Sequence, residues 1–142
     1  MKQIKEVLDS KGRDVLSIAP DTSIYEAVTL MAERGVGALV VMEGDTLVGL
    51  VSERDCVWKV MLEGRSPRET DVKQIMTKNI LCIEPEQTVE EGMALMTDKR
   101  IRHLPVVNGD RVEGIISIGD LVKAIIADQK FVIEQLEYYV TS

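Results

Sequence analysis

The sequence predicts an α/β (α+β) fold built from two pseudo-symmetric β-α-β-β-α repeats, with an extra helix at the C-terminus. The first observation is an ungapped internal repeat, in which Pro20 and Gly49 recur 65 residues later as Pro85 and Gly114. Residues 7–64 share 15 identities with their counterparts, where about three or four are expected by chance. The second observation is that strand-like and helix-like patterns follow one another in the same order in both copies.

Each copy begins with an extended apolar stretch that a proline ends. These predicted strands are Val15–Ile18 and Ile80–Ile83. A helix follows in each copy, and both helices start with the S/T-x-x-E pattern of a capping box, in which the N-cap residue and the glutamate bond each other's backbone amides. The two predicted boxes are Ser23 with Glu26 and Thr88 with Glu91.

Two short apolar strands around a tight turn come next in each copy. Asn108 and Gly109 separate the second pair, and this dipeptide is a strong hairpin signal because both residues tolerate a positive φ. Pro105 lies near the start of its strand and donates no backbone hydrogen bond, so we expect it at an edge or a ligand-facing gap. Each copy ends in a helix, about residues 54–62 and about residues 119–127.

The repeat sets the predicted domain boundaries. Residues 7–64 form the first repeat, residues 65–71 a linker, residues 72–128 the second repeat and residues 129–142 a helical tail. The tail has no counterpart in the first copy and places apolar residues on roughly one face. Two interpretations stay open, namely that this face closes the core or that it forms a dimer contact.

Composition and charge exclude several classes of protein. The net charge of −7 argues against a nucleic-acid binder, which would present a basic face. The first ten residues lack the apolar core of a signal peptide, and no apolar run is long enough for a membrane span. Cys56 and Cys82 lack ligand-like spacing, so we expect no metal site and two buried free thiols. The sequence therefore predicts a cytoplasmic protein without membrane or nucleic-acid partners.

One polar pair recurs where each copy turns from its last strand into its last helix. Ser52 and Asp55 correspond to Ser117 and Asp120, and each pair lies at a helix N-cap and first turn. Free backbone amides at this place favour an anionic group, and a carboxylate one turn further on can bind a vicinal diol. Ser-x-x-Asp is also an ordinary capping box. A site and a duplicated cap are both compatible with the pattern.

The ordered set of these features resembles a tandem pair of CBS (cystathionine-β-synthase) domains, also called a Bateman module, of the stand-alone kind. The resemblance rests on the two Gly-h-h-Ser-x-x-Asp corners, where h is an apolar residue, on the Leu-Pro-Val-Val strand, on the helices that precede the hairpins and on the Gly-Asp turns. It covers about residues 7–127. It implies that the repeats pack sheet to sheet and that the protein is a binding module rather than an enzyme.

The resemblance also implies a ligand and its site residues. Members of this family bind adenosyl ligands such as AMP, ATP, NAD or S-adenosylmethionine in the cleft between the repeats, with the corner aspartate on the ribose. Carried over to this chain, one site comprises Ser117, Asp120, Ile101, Arg102, His103, Leu104 and Pro105. The other comprises Ser52, Asp55, Val36, Gly37, Ala38 and Leu39.

The two predicted sites differ in charge. Arg102 and His103 lie beside the second corner, where the first copy has Gly37 and Ala38. Arginine and histidine can bind phosphate by charge-assisted hydrogen bonds, so we expect the second corner to hold a phosphorylated ligand and the first to be weaker or empty. Arg54, which has no counterpart in the second copy, could alter that order.

The sequence leaves three classes of function to weigh. The leading one is a sensor that binds an adenine nucleotide without catalysis and signals by conformational change, as a homodimer or through a protein effector. The alternative is a structural dimerisation scaffold with no small-molecule ligand, in which the corners are caps only. An enzyme is disfavoured because no nucleophile with a base and an orienting group is visible.

Overall fold

The computed structural model describes residues 2–141, and Ser142, the last residue of the predicted tail, lies outside the described residues together with Met1. The described chain forms two compact units. The first-repeat unit contains residues 14–81 and 109–112, and the second-repeat unit contains residues 2–13, 82–108 and 113–141. Each unit therefore includes residues that the predicted boundaries assign to the other repeat, among them 7–13 in one unit and 72–81 in the other.

The elements in chain order are α1 (Ile4–Lys11), β1 (Ser17–Ile18), α2 (Ile24–Arg34), β2 (Ala38–Glu43), β3 (Thr46–Ser52), α3 (Glu53–Cys56), a π-helical turn (Val57–Met61), a 3-10 turn (Val72–Gln74), α4 (Val89–Lys99), β4 (His103–Asn108), β5 (Arg111–Ser117) and α5 (Ile118–Thr141). One sheet has the order β1-β2-β3 and the other pairs β4 with β5. The predicted fold class is confirmed.

In the first-repeat unit, α2, α3 and the 3-10 turn share one buried core with the strands of the sheet. β1 runs parallel to β2, and β2 runs antiparallel to β3 with a bulge at Val41 and Met42. The segment after the linker approaches β3 closely, because a Cβ on Gly49 would overlap the side chain of Met76. Gly49 thus gives this segment its place against the sheet.

The second-repeat unit is built in the same way around α1. Ile4 and Leu8 are fully buried in its core, and Gln3 forms an antiparallel bridge with Thr88. A Cβ on Gly114 would lie 2.8 Å from Leu8 Cδ2. The two equivalent glycines, one in each unit, therefore serve the same purpose of admitting a neighbouring segment.

The structure shortens the predicted first strands, and it divides the last helical segment of the first copy into an α-helical and a π-helical part. β1 has only two residues, and in the second copy the stretch is reduced to a bridge of Ile83 with Val106. At the predicted capping boxes, the structure records the bond from the third helical amide to the Ser23 and Thr88 side chains, at 3.2 and 3.1 Å. α3 covers four residues and continues as the π-helical turn.

The tail is not a separate helix but the continuation of α5, which has 24 residues. Its apolar side chains are exposed, with 62 % exposure at Phe131 and 61 % at Leu136, so the tail does not close the core of its unit. Cys56 is buried as expected, whereas the expectation that Cys82 is buried is wrong, because this thiol is exposed. Within residues 2–141, no helix combines the length and apolar character needed to cross a membrane.

Candidate functional site

The strand-to-helix corner of the second repeat is closed by two reciprocal hydrogen bonds. The Asp120 N–H donates to Ser117 Oγ at 3.1 Å, and the Ser117 N–H donates to Asp120 Oδ2 at 2.8 Å. Both residues are half-buried. The capping box is therefore real, and it fixes the carboxylate at the start of α5. These two bonds do not use Asp120 Oδ1 or the hydroxyl proton of Ser117, so capping and ligand binding are compatible.

A lysine from α1 also contacts this corner. Lys11 Nζ donates to Asp120 Oδ2 at 2.6 Å and to the carbonyl oxygen of Ile115 at 2.7 Å. Burial opposes the ionisation of Asp120, but the hydrogen bonds from Lys11 and from the Ser117 N–H outweigh it, so the pKa of Asp120 lies below its ordinary value. The carboxylate is charged at neutral pH and is already paired with a cation.

The strand before the second hairpin reaches the corner through its backbone. The first N–H of α5 donates to the carbonyl oxygen of Arg102 at 2.9 Å. The side chain of Arg102 is exposed, and His103 is half-buried. Leu104 and Pro105 are buried, and Leu104 belongs to the core of the unit. These two side chains serve packing, and the side chain of Arg102 is more accessible to a ligand than either of them.

Ile101, the remaining residue of the predicted second site, follows α4 directly. Its N–H donates to the carbonyl oxygen of Met96 at 3.0 Å, and its half-buried side chain packs on the core. Pro105 lies on β4, which pairs with β5 in a two-stranded sheet, and its carbonyl oxygen accepts from the Ile83 N–H at 3.0 Å, so the outer side of this strand is partly covered. The expected ligand-facing gap at Pro105 stays a prediction.

The first-repeat corner has the same geometry. The Asp55 N–H donates to Ser52 Oγ at 3.1 Å, and the Ser52 N–H donates to Asp55 Oδ2 at 3.3 Å. The first N–H of α3 donates to the carbonyl oxygen of Gly37 at 3.0 Å, and Ala38 pairs with Ser52 across β2 and β3. Ala38 is buried, and Gly37 and Val36 are half-buried. Neither β2 nor β3 contains a lysine, arginine or histidine.

The first-repeat corner pairs with a lysine from a different place. Lys59 Nζ lies 3.4 Å from Asp55 Oδ1 and donates to the carbonyl oxygen of Ile75 at 3.1 Å. Lys59 follows Asp55 by one helical turn, so this ion pair is local. The guanidinium of Arg54 lies 4.1 Å from the centre of the Trp58 ring, and this cation–π contact holds it against its own helical segment.

The two lysines are the site-adjacent residues that the sequence analysis missed. The spacing of Asp55 and Lys59 is a recognisable signal for an ion pair on a helix. Lys11 is separated from Asp120 by 109 residues, and the equivalent residue in the other unit is Met76. Neither local spacing nor the repeat points to Lys11, because its contact depends on the placement of α1 beside the second repeat.

Neither a metal site nor the cavity of the first-repeat unit involves the corners in the described part of the chain. No group of three or more His, Cys, Asp or Glu side chains that could hold a metal ion occurs in residues 2–141. A cavity of about 580 Å³ in the first-repeat unit is lined by Val15, Ser17, Met42, Gly44, Asp45, Asp110, Arg111 and Val112. It includes no residue of either corner, and the corners carry the functional assignment because their paired hydroxyl and carboxylate offer specific chemistry.

Comparison with known proteins agrees with the duplicated architecture. The model of the CBS domain family matches residues 4–61 and 72–127. A mitochondrial CBS domain-containing protein of Arabidopsis thaliana is 38 % identical in an alignment 146 residues long that covers 96 % of this chain and 71 % of the relative. The predicted boundaries of the repeats at residues 7–64 and 72–128 remain a prediction.

Solved structures give the same result. A signal-transduction protein with CBS domains from Burkholderia ambifaria superimposes with a TM-score of 0.86 at 46 % identity, over 90 % of this chain and 96 % of that one. The CBS domain pair of protein MJ0100, solved with 5′-methylthioadenosine and S-adenosyl-L-methionine, has a TM-score of 0.80 over 90 % of this chain and 98 % of that one. At 21 % identity, this second likeness concerns the fold. The two family matches and these similarities show that the chain belongs to the CBS domain family.

Proposed function

We propose that this chain is a non-catalytic regulatory module that binds an adenine nucleotide at the Ser117–Asp120 corner. The observation that carries the proposal is the charged carboxylate of Asp120, held beside a serine hydroxyl at the start of a long helix. A fixed carboxylate can accept hydrogen bonds from ribose hydroxyls, and helix N-termini favour phosphate. The related CBS pair solved with two adenosyl ligands supports this ligand class.

The second corner suits a phosphorylated ligand better than the first. The carbonyl oxygen of Arg102 accepts from the first N–H of α5, and the side chain of Arg102 is exposed. The equivalent residue at the first corner is Gly37, which has no side chain. Arginine binds phosphate oxygens in a bidentate manner. We therefore propose Ser117 and Asp120 as the principal site for AMP, ATP or NAD, and Ser52 and Asp55 as a weaker one.

Thermal unfolding with a panel of ligands tests the proposal. The panel is AMP, ADP, ATP, NAD and S-adenosylmethionine, each added to the wild-type chain and to Asp120→Ala and Asp55→Ala. A ligand at a hundred times its Kd adds about 2.7 kcal/mol to the free energy of unfolding, which raises Tm by roughly 5–10 °C. Each variant is compared with its own ligand-free Tm, because both substitutions also remove a helix cap.

The expected result is a ligand-induced rise in wild type and Asp55→Ala that Asp120→Ala lacks. A rise that survives in Asp120→Ala and disappears in Asp55→Ala would reverse the order of the two sites. If no member of the panel raises Tm of the wild type, the nucleotide-binding proposal fails. The alternative, a dimerisation scaffold without a small-molecule ligand, is then favoured.

We also infer that the chain acts as a homodimer. Each unit exposes apolar side chains at equivalent positions of its last helical segment: Val57 and Val122 are each 40 % exposed, and Met61 and Ile126 are 68 % and 57 % exposed. Exposed apolar patches of this kind mark interaction surfaces. A ligand-dependent change in this surface would be transmitted to a protein effector that binds it. The cytoplasmic location of the chain stays a prediction.

A further inference from the structure

Lys11 forms a contact with the proposed ribose carboxylate that has no equivalent in the other unit. Its ammonium lies 2.6 Å from Asp120 Oδ2, while the equivalent residue of the first-repeat unit, Met76, packs against Gly49. Lys59 pairs with the first-repeat carboxylate, but it does so from the following helical segment and on the other oxygen, Oδ1. Lys11 is therefore a feature of the second corner alone.

The two donors on Asp120 Oδ2 leave little room for a third. The Ser117 N–H and Lys11 Nζ both donate to this oxygen, and a carboxylate oxygen has about two lone-pair sites. A vicinal diol held by both carboxylate oxygens needs one of the two sites on Oδ2. The Ser117 N–H is fixed by the helix cap, whereas Lys11 is a flexible side chain with one-third of its surface exposed, so Lys11 is the donor that can yield.

When the ammonium group of Lys11 gives up its bond to Asp120 Oδ2, it needs a new acceptor. Lys11 keeps its bond to the carbonyl oxygen of Ile115, but an ammonium has three donors. Removal of its carboxylate partner leaves a partly buried charge under-solvated, which is unfavourable. A ligand phosphate next to the ribose supplies the missing negative charge, whereas a neutral nucleoside supplies none.

We propose that Lys11 makes ligand binding at the Ser117–Asp120 corner conditional on a phosphate. In the free chain it neutralises Asp120; on binding, the ribose hydroxyls take the carboxylate and the phosphate takes the ammonium. Lys11 is thus a specificity-determining residue that selects phosphorylated over neutral adenosyl ligands. This inference rests on the proposed nucleotide site.

Isothermal titration calorimetry with AMP and with adenosine tests this role at a fixed salt concentration. The measured quantity is the ratio of the two affinities. We expect wild type to bind AMP at least tenfold more tightly than adenosine. In Lys11→Met, which introduces the residue found at the equivalent position of the other unit, this ratio falls by tenfold or more, because AMP binds more weakly and adenosine more tightly.

Three matched variants complete the experiment. Lys11→Arg keeps the charge and retains the preference for AMP, which also guards against misfolding of the methionine variant. Lys5→Met removes an exposed lysine from the same helix and leaves the ratio unchanged. Lys59→Met, beside Asp55 of the weaker first corner, tests whether the selection resides there, and a loss of selectivity in that variant instead of in Lys11→Met would overturn the inference.

Other outcomes separate this inference from the proposed function. If Lys11→Met tightens AMP and adenosine by the same factor, or alters neither, Lys11 has no role in phosphate selection although the site exists. The same holds if wild type binds adenosine or S-adenosylmethionine more tightly than AMP. If wild type binds no adenosyl ligand, the proposed function fails, and the inference about Lys11 fails as well.

Discussion

Asp120 combines a structural bond and a proposed ligand contact in one carboxylate. It caps α5 through the Ser117 N–H and pairs with Lys11. The local half of this arrangement can be predicted from Ser-x-x-Asp, because both partners lie within one helical turn. The contact with Lys11 cannot, because it depends on tertiary structure. At the residue scale, the sequence therefore identifies the corner but not its charge balance.

The pH dependence of stability tests the bonds of Asp120. The pKa of its carboxyl group is lowered in the folded chain, so the ionised form stabilises the fold above the ordinary value of about 4. This stabilisation is lost as the pH falls from that value through the lowered folded pKa. We expect Asp120→Asn to lower the free energy of unfolding by about 1–2 kcal/mol at pH 7 and by much less near pH 2.

Urea unfolding at pH 7, 4 and 2 measures this difference. Asp110→Asn removes the same charge from an exposed hairpin turn and serves as the control, with little effect at any of the three pH values. A constant deficit of Asp120→Asn at all three would mean that the carboxylate charge contributes nothing to the fold.

At the scale of elements, the ends of α2 and α4 show how one architecture tolerates different residues. Both helices end in a left-handed residue, Gly35 with φ 64° and Arg100 with φ 55°. Glycine adopts this conformation freely, whereas other residues pay about 1–2 kcal/mol. Arg100 lies in the basic segment before β4, so the chain keeps a basic side chain where the cap favours glycine.

Exchanging these two residues gives opposite expected results. Arg100→Gly raises the free energy of unfolding by about 0.5–1 kcal/mol, because the relief of strain exceeds the added flexibility of the unfolded chain. Gly35→Arg lowers it by about 1 kcal/mol. Chemical denaturation at neutral pH measures both, and changes of the same sign in the two variants would contradict the assignment of strain to the backbone.

Some elements were predictable and others were not. The hairpins and the starts of α2 and α4 follow local signals, such as the Asn-Gly turn and the S/T-x-x-E pattern. The stretch Ile80–Ile83 has the composition of a strand, but it contributes only the bridge from Ile83 to Val106. Composition favours a strand here, but only Ile83 of this stretch is buried, and the number of paired residues is decided by the neighbouring chain.

At the scale of the molecule, the repeat predicted the duplicated architecture but not the make-up of each compact unit. α1 begins before the first repeat and ends inside it, and yet it supplies Ile4 and Leu8 to the core of the second-repeat unit. After the linker, Val72 and Ile75 belong instead to the core of the first-repeat unit. The sequence pattern is compatible with α1 in either unit, so only the three-dimensional contacts show to which unit it belongs.

The exposed apolar residues on the last helical segments lead to the final prediction. Met61 and Ile126 occupy equivalent positions in the two units and are more than half exposed. In a homodimer that buries them, a carboxylate at either position would be buried without a partner, which costs roughly 3 kcal/mol or more. We expect wild type to have about twice the 15.8 kDa mass of one chain, and Met61→Glu and Ile126→Glu to weaken dimerisation more than a hundredfold.

Sedimentation equilibrium over a range of concentrations measures the dimer Kd directly. Leu81→Glu is the matched control, because Leu81 is 39 % exposed in the stretch before Ile83 and lies outside every helix, and we expect its dimer to remain intact. Removal of residues 129–142, which include the exposed apolar side chains of the tail, shows whether the end of α5 contributes to the dimer beyond its first turns. If wild type is a monomer at all concentrations, or if Leu81→Glu dissociates as readily as the other two variants, these helical segments are not the dimer interface. A regulatory output would then have to pass through the apolar face of a different element.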